Sequence, residues 1–270
     1  MSYSVLMSVY IKEKPEYLKL SISSIFNQTL QTDDFVLVCD GPLNNKLDEV
    51  IGEAYNLHSN IMKIIRLPEN VGLGRALNIG IKYCKNEIIA RMDSDDISYP
   101  ERCEREYEII NRYGLDIVSA TIEEFENDPS TAISKRVLPQ TQDEILVFAK
   151  KRCPFNHPCV MYKKTAVEKA GGYLELYCQE DYYLWVRMLI NGSKGYNIQE
   201  PLLWMRAGNE MYKRRAGIRY AKSQVTLFKF MWDKNFISTS QFLKSCIVRI
   251  CSSLAPNWVR KVAYQMILRK

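Results

Sequence analysis

The sequence predicts an α/β fold, a mostly parallel sheet flanked by helices on both faces. Three observations carry it. Short Ile- and Val-rich runs alternate with helically spaced apolar residues. The loops joining them are only a few residues long, as strand–helix units require. Polar, chemistry-bearing loops recur at the same end of successive strands, where open α/β sheets place their ligands.

Residues 3–9 are apolar and β-rich and read as a first strand. Pro15 opens a helix carrying Tyr17, Leu18, Ile22, Ile25 and Phe26, because proline suits a first turn. A second strand at 35–39 ends in Asp40-Gly41-Pro42, a helix spans 43–57, and a third strand spans 61–66. The loop 69–74 opens a helix over 75–81. A fourth strand begins at Ile88 and runs into Asp93-Ser94-Asp95-Asp96. A charged helix follows Pro100, then a strand over 116–125 and a polar loop over 127–136. Residues 143–150 read as helix, 153–158 as irregular for its prolines, 160–162 as strand and 165–170 as a short helix closed by Gly171-Gly172. The last element of this region is an amphipathic helix over 179–188, with Glu180 and Asp181 at its positive N-terminal end.

Composition narrows the class. The 270 residues are 47% hydrophobic and 25% charged, which suits one large globular domain or a domain with an appendage. No run reaches the roughly 18 apolar residues of a membrane span, and residues 1–5 have no signal-peptide character. Eight cysteines without paired metal spacing, and only two histidines, argue against zinc and for reduced thiols. The net charge of +6 hides an asymmetry: residues 212–270 hold 13 Lys and Arg against one acid, Asp233. A mildly acidic body with a strongly basic tail says something about partners.

The chemistry concentrates at the fourth strand. Three carboxylates in four residues repel one another unless a positive group joins them. A hard divalent cation with oxygen ligands is the natural partner, and a diphosphate would complete its shell. A solvated turn capping the next helix would use the same residues. Four loops should converge here: 8–10, 40–41, 70–74 and the Asp93 cluster. Asp40 can accept hydrogen bonds from a base or ribose, or serve as a turn Asp before Gly. The Gly72/Gly74 pair is weak evidence alone, since the phosphate-loop and dinucleotide fingerprints are both absent.

Taken as an ordered set, residues 4–10, 38–41, 70–78, Asp93-Ser94-Asp95-Asp96, His157-Pro158 and Glu180-Asp181 resemble a family 2 glycosyltransferase of the GT-A fold, of the bacterial surface-polysaccharide kind. The resemblance covers roughly 3–190. It implies a GT-A (Rossmann-like) domain over 1–210 and leaves 211–270 as a basic helical extension. It implies that Val9, Tyr10, Glu13, Asp40, Asn70, Gly72, Arg75 and Asp93 hold the donor nucleotide, and that Asp95, with Asp93, ligates Mn²⁺ or Mg²⁺. Asp181 would be the catalytic base of an inverting transfer, with Asp96, His157, Glu180 and Trp185 as possible substrate contacts. For His157 a packed loop histidine, and for Trp185 and Tyr183 a core position, are competing readings.

The tail adds a location. Leu243, Ile247, Ile250, Cys251 and Leu254 share one helical face, and Trp258, Val259, Val262, Met266 and Ile267 repeat the pattern beside Arg260, Lys261, Arg269 and Lys270. Basic amphipathic helices lie on anionic membranes; packing back onto the enzyme is the other reading. The expected protein is a cytoplasmic enzyme peripheral to the inner face of the cell membrane. It would move glucose or galactose from a UDP-sugar to a lipid-linked acceptor such as GlcNAc-diphospho-undecaprenol in O-antigen, lipopolysaccharide or capsule assembly. The alternatives are another donor sugar, GlcNAc or rhamnose, acting later on the repeat unit, or a non-catalytic nucleotide-sugar binder. After strand one this chain lacks the glycine-rich loop that a nucleotidyltransferase needs and the nucleophilic Asp that a haloacid-dehalogenase-type phosphatase needs.

Overall fold

A computed structural model describes residues 2–207 and 217–254, with side chains described through Cys251. In chain order the elements are β1 (Ser4–Val9), α1 (Pro15–Phe26), β2 (Asp34–Cys39), α2 (Asn45–His58), β3 (Met62–Arg66), α3 (Leu73–Tyr83), β4 (Ile88–Asp93) and β5 (Ile97–Ser98). Then come α4 (Arg102–Arg112), β6 (Ile117–Phe125), β7 (Ser134–Arg136), α5 (Gln142–Ala149), β8 (Val160–Lys163), α6 (Lys164–Lys169), α7 (Glu180–Ile190), β9 (Gly195–Arg206), α8 (Gly217–Asp233) and α9 (Thr239–Leu254). The expected boundary at 210 and the second basic stretch with Trp258 lie outside the described residues.

The strands form one sheet in the order β3-β2-β1-β4-β8-β6-β9-β5, with β7 paired to β6. β3, β2, β1 and β4 are mutually parallel. β8 runs antiparallel to both β4 and β6, and β9 is parallel to β6. Period-two alternation gives each strand two buried faces. Val5, Met7, Val9, Phe35, Leu37 and Cys39 face α1, α2 and α4, while Leu6, Val36 and Val38 face α3 and α7. This is the expected layered fold, with helices on both faces. Gly80 permits the tightest of these contacts: a Cβ there would meet Leu6 Cδ1 and lie 2.8 Å from Val38 Cγ2.

Local chemistry explains the boundaries. Pro15 stands in the first turn of α1. The Asn44 side chain accepts from Leu47 N at 3.0 Å and starts α2. A capping box between Thr141 and Glu144 starts α5. Three strands escape the sequence pattern, the two-residue β5 among them. β7 lies in the stretch expected to be loop, because Ser134–Arg136 pairs with Ile122, Glu123 and Glu124 of β6. β9 is hidden by Gln199-Glu200-Pro201, which breaks alternation and removes a donor; the β6–β9 ladder absorbs this with register shifts at Ala120–Ile122.

After β9 the chain does not leave the body. Leu227, Phe228 and Met231 of α8 are buried against Tyr182 and Val186 of α7. α9 then turns its Phe242 ring onto Trp232 of α8, 5.3 Å between centroids. No helix among the described residues is long and apolar enough to cross a membrane. Gly80→Val should cost about 2–3 kcal/mol by overpacking the α3–sheet contact, read as a lower urea midpoint at unchanged slope.

Candidate active site

The parallel strands deliver their C-terminal loops to one edge, and hydrogen bonds lock two of these loops together. Asp40 N donates to Val9 O at 2.8 Å, tying the end of β2 to the end of β1. The Asp40 carboxylate, itself buried, accepts from Val71 N at 2.7 Å, Asn70 Nδ2 at 3.0 Å and Gly72 N at 3.1 Å. Gly41 has φ +89°, and a Cβ there would sit 2.7 Å from Asn70 N, so glycine lets the 69–72 loop close over β2. A carboxylate has about four lone-pair positions; three donors leave roughly one for a ligand. Tyr10 and Arg75 are exposed at this rim, and Arg75 pairs with Glu175 at 2.7 Å.

β4 carries the acidic cluster. Carboxylate oxygens of Asp93, Asp95 and Asp96 all lie within 4.8 Å of one another. Each is held differently. Asp93 receives both arms of the Arg91 guanidinium, Nη1 at 2.7 Å and Nη2 still closer. Arg91 is itself 1% exposed. Asp96 is buried and accepts from Arg206 N at 2.7 Å, which pins the end of β9 to the cluster. The Arg206 guanidinium donates to Asp95 O and lies 3.7 Å over the Tyr17 ring and 4.5 Å over Phe125. Burial pushes the Asp95 carboxyl up to about 7, with the charges of Asp93 and Glu13 acting the same way. Asp96 is driven up by burial and then by Asp95. Glu13 reaches the cluster through Ser94 Oγ, which donates to Glu13 Oε2. Crowded oxygens whose charged forms are disfavoured in isolation fit a hard divalent cation, which would supply the missing positive charge.

A second acidic group stands in the first turn of α7. Asp181 Oδ1 accepts from Tyr182 N at 2.7 Å, and Oδ2 lies 3.6 Å from Cys153 Sγ. Burial raises the Glu180 carboxyl above its ordinary value. The segment before α7 is fastened to α3: Asn78 Nδ2 donates to Tyr173 O at 2.6 Å, and Tyr173 N to Asn78 Oδ1 at 2.7 Å. A Cβ at Gly74, in the first turn of α3, would lie 3.4 Å from Tyr173 Cβ and 3.6 Å from Glu180 Cγ, so the start of α7 borders the nucleotide loop.

One expected contact changes role. Trp185 is fully buried, packed edge-on against Phe155 and among His157 and Tyr173, and has no surface to offer a substrate. Its helical spacing served the core. His157 places Nε2 3.0 Å from Tyr173 Oη, and burial with the nearby Arg91 charge holds its ring well below the ordinary histidine value. The ring is half-buried and fastened to Tyr173, a position that still leaves it an edge toward solvent. Arg91, Asn78 and Tyr173 were not singled out from the sequence. Arg91 alone left a signal: an arginine inside an otherwise apolar strand must have a partner.

The fold and these two acidic groups define a nucleotide-sugar transferase of the GT-A type, and residues 4–171 match the model of "Glycosyl transferase family 2". The chain belongs to that family. It is 38% identical over 270 residues to the UDP-Gal:alpha-D-GlcNAc-diphosphoundecaprenol beta-1,3-galactosyltransferase of Escherichia coli, covering 99% of this chain and 97% of that protein. It is 36% identical to the amylovoran biosynthesis glycosyltransferase AmsE of Erwinia amylovora, covering 97% and 98%. The fold superposes on Staphylococcus aureus TarS 1–349 in complex with UDP-GlcNAc with a TM-score of 0.70 at 17% identity, over 100% of this chain and 76% of that one.

Asp40→Ala should cost about 2–3 kcal/mol, the scale of bonds to a charged acceptor, and should raise amide exchange at Val71 and Gly72 first. His157 gives a pH signature. The unfolded ring binds a proton near pH 6.5 and the folded ring does not. The unfolded state therefore gains protons as pH falls, and stability should drop by about 1.4 kcal/mol per unit below 6.5. His157→Gln should flatten that slope in denaturation curves taken from pH 7 to 5.

Proposed function

We propose that this enzyme transfers a hexose, galactose or glucose, from a UDP-sugar to a GlcNAc-diphospho-lipid, forming a β-linkage with inversion. The full-length likeness to a transferase named for that donor and acceptor supports the choice. One observation carries the chemistry: a Cβ at Gly74, in the first turn of α3, would lie 3.6 Å from Glu180 Cγ, so the start of α7 with its candidate base borders the nucleotide side of the site.

The residues then divide the work. Val9, Tyr10, Glu13 and the Asp40-locked loop with Asn70, Gly72 and Arg75 form the nucleotide side. Asp93, oriented by Arg91, faces the ribose or the cation, and Asp95 is the principal ligand. Mn²⁺ or Mg²⁺ held there would neutralise the charge that develops on the departing diphosphate. Asp181 accepts the proton from the acceptor hydroxyl as that oxygen bonds the anomeric carbon from the side opposite UDP. The carbon–phosphate-oxygen bond breaks, UDP leaves with the electron pair, and an α-donor gives a β-glycoside. Asp96 holds the end of β9 and keeps the cluster crowded.

The same reading places the enzyme at the cytoplasmic face of the membrane. Leu243, Ile247, Val248 and Ile250 of α9 are exposed, Lys244 beside them is exposed too, and the segment from 212 is strongly basic. That pattern suits a surface of anionic lipid, where a polyprenyl acceptor resides. All eight cysteines are unpaired, as a reducing compartment keeps them.

Purified protein with Mn²⁺ and a GlcNAc-diphosphate-lipid should release UDP from one of UDP-galactose and UDP-glucose. EDTA or Asp95→Ala should abolish release, and Asp181→Ala should lower it at least 10³-fold while leaving UDP binding intact. UDP binding without turnover for any donor and acceptor would leave a nucleotide-sugar binder. Leu243→Glu with Ile247→Glu should cut sedimentation with anionic vesicles tenfold or more while sparing turnover on a short-chain acceptor.

A further inference from the structure

The turn that delivers Glu180 and Asp181 closes with one backbone bond, Gln179 N to Leu176 O at 2.8 Å. Gln179 occupies the N-cap of α7, yet its side chain makes no capping bond. Cys178 before it has φ +54°, a left-handed conformation unfavourable to any residue with a Cβ. A backbone of this kind persists where its surroundings fix it.

α8 supplies those surroundings. Ser223, which is buried, donates from Oγ to Tyr177 O at 2.9 Å. The buried Gln179 donates from Nε2 to Tyr220 Oη at 3.3 Å. Arg219 lies 4.2 Å over the Tyr177 ring. One turn further on, Phe228 meets Tyr182 edge-on at 6.4 Å, and Phe230 meets Tyr183 at 4.9 Å. The residues immediately before and after Asp181 are therefore fastened to the same helix.

We infer that α8 is part of the catalytic apparatus and that Tyr220 and Ser223 are positioning residues, which fix the 176–179 turn and thereby aim Asp181 at the acceptor hydroxyl. This rests on the reading of Asp181 as the base. It deepens that reading by assigning a segment outside the matched family region, residues 4–171, to the chemical step. A base displaced by about 1 Å can lose on the order of 10²-fold in rate, so small anchoring contacts can show large kinetic effects. Among the described residues no hydrogen bond, ion pair or ring contact joins the nucleotide loops at β1, β2 and α3 to α8, so donor binding should be indifferent to it.

The test uses the full chain, the donor that supports turnover, and a GlcNAc-diphosphate bearing a short soluble alkyl chain, so that membrane contact plays no part. Tyr220→Phe with Ser223→Ala should lower kcat tenfold or more, with the donor KM and the UDP Kd within twofold of wild type. Thr226→Ala, which removes an α8 hydroxyl bonded to Lys222 O on the same helix, should leave kcat unchanged. A double variant within twofold of wild-type kcat would overturn the inference, as would a loss of UDP affinity in proportion to kcat. Tyr220→Phe alone removes a single oxygen; if the double variant does not fold, a threefold or greater fall in its kcat supports the inference and an unchanged kcat overturns it. Asp181→Ala runs alongside. Wild-type turnover in that variant would sink the base assignment itself, a result distinct from an inactive Asp181→Ala beside a fully active double variant.

Discussion

Three carboxylates crowded at the end of β4 are the constraint around which this molecule is arranged. Their mutual repulsion, in a setting drier than water, would drive the loop apart if nothing opposed it. Arg91 opposes it from inside the sheet with a bidentate grip on Asp93. Arg206 opposes it from β9 through its backbone N–H to Asp96 and its guanidinium to Asp95 O. The cost of burying Arg91 is offset by that grip, and the cluster keeps a residual appetite for positive charge. That appetite is what a divalent cation and its diphosphate would answer.

Beneath the cluster lies a second buried ion pair with a related task. Arg102 and Glu106 are both fully buried, 3.2 Å apart, and Arg102 Nη2 donates to Arg91 O at 2.7 Å. Cys159 Sγ donates to the other Glu106 oxygen at 3.4 Å. Buried pairs of this kind contribute little net stability and are costly to break on one side. Here the pair ties α4 to the backbone of the strand that carries the acids. The site thus rests on two layers of charge, one facing the substrate space and one locking β4 from behind.

The opposite wall is built by polar zippers between segments far apart in sequence. Asn78 fastens the 173 region to α3, and α8 fastens the 176–179 turn from outside. The basic C-terminal segment accordingly has two faces with different work. The α8 face of the hairpin closes a small core against α7, while α9 leaves a stripe of Leu243, Ile247 and Ile250 to solvent. The helix with the exposed apolar stripe and the helix that contacts the 176–179 turn are neighbours on one hairpin.

The sequence by itself determined the layered fold, the order of the loops at the sheet edge and the two acidic groups. These are local: apolar periodicity sets strands and helices, and Asp93-Ser94-Asp95-Asp96 and Glu180-Asp181 are contiguous. It also determined that residues 212–270 are basic. Tertiary structure alone decided the rest. β9 became visible only because β6 offers a partner that tolerates Pro201. Trp185 fell into the core because burial depends on which face of α7 meets the sheet. Arg91, Asn78, Tyr220 and Ser223 acquired roles from partners 2, 95, 41 and 46 residues away. Only Arg91, whose partner is its near neighbour, left a trace in the sequence, because pairings over long separations are made by the fold and not by local pattern.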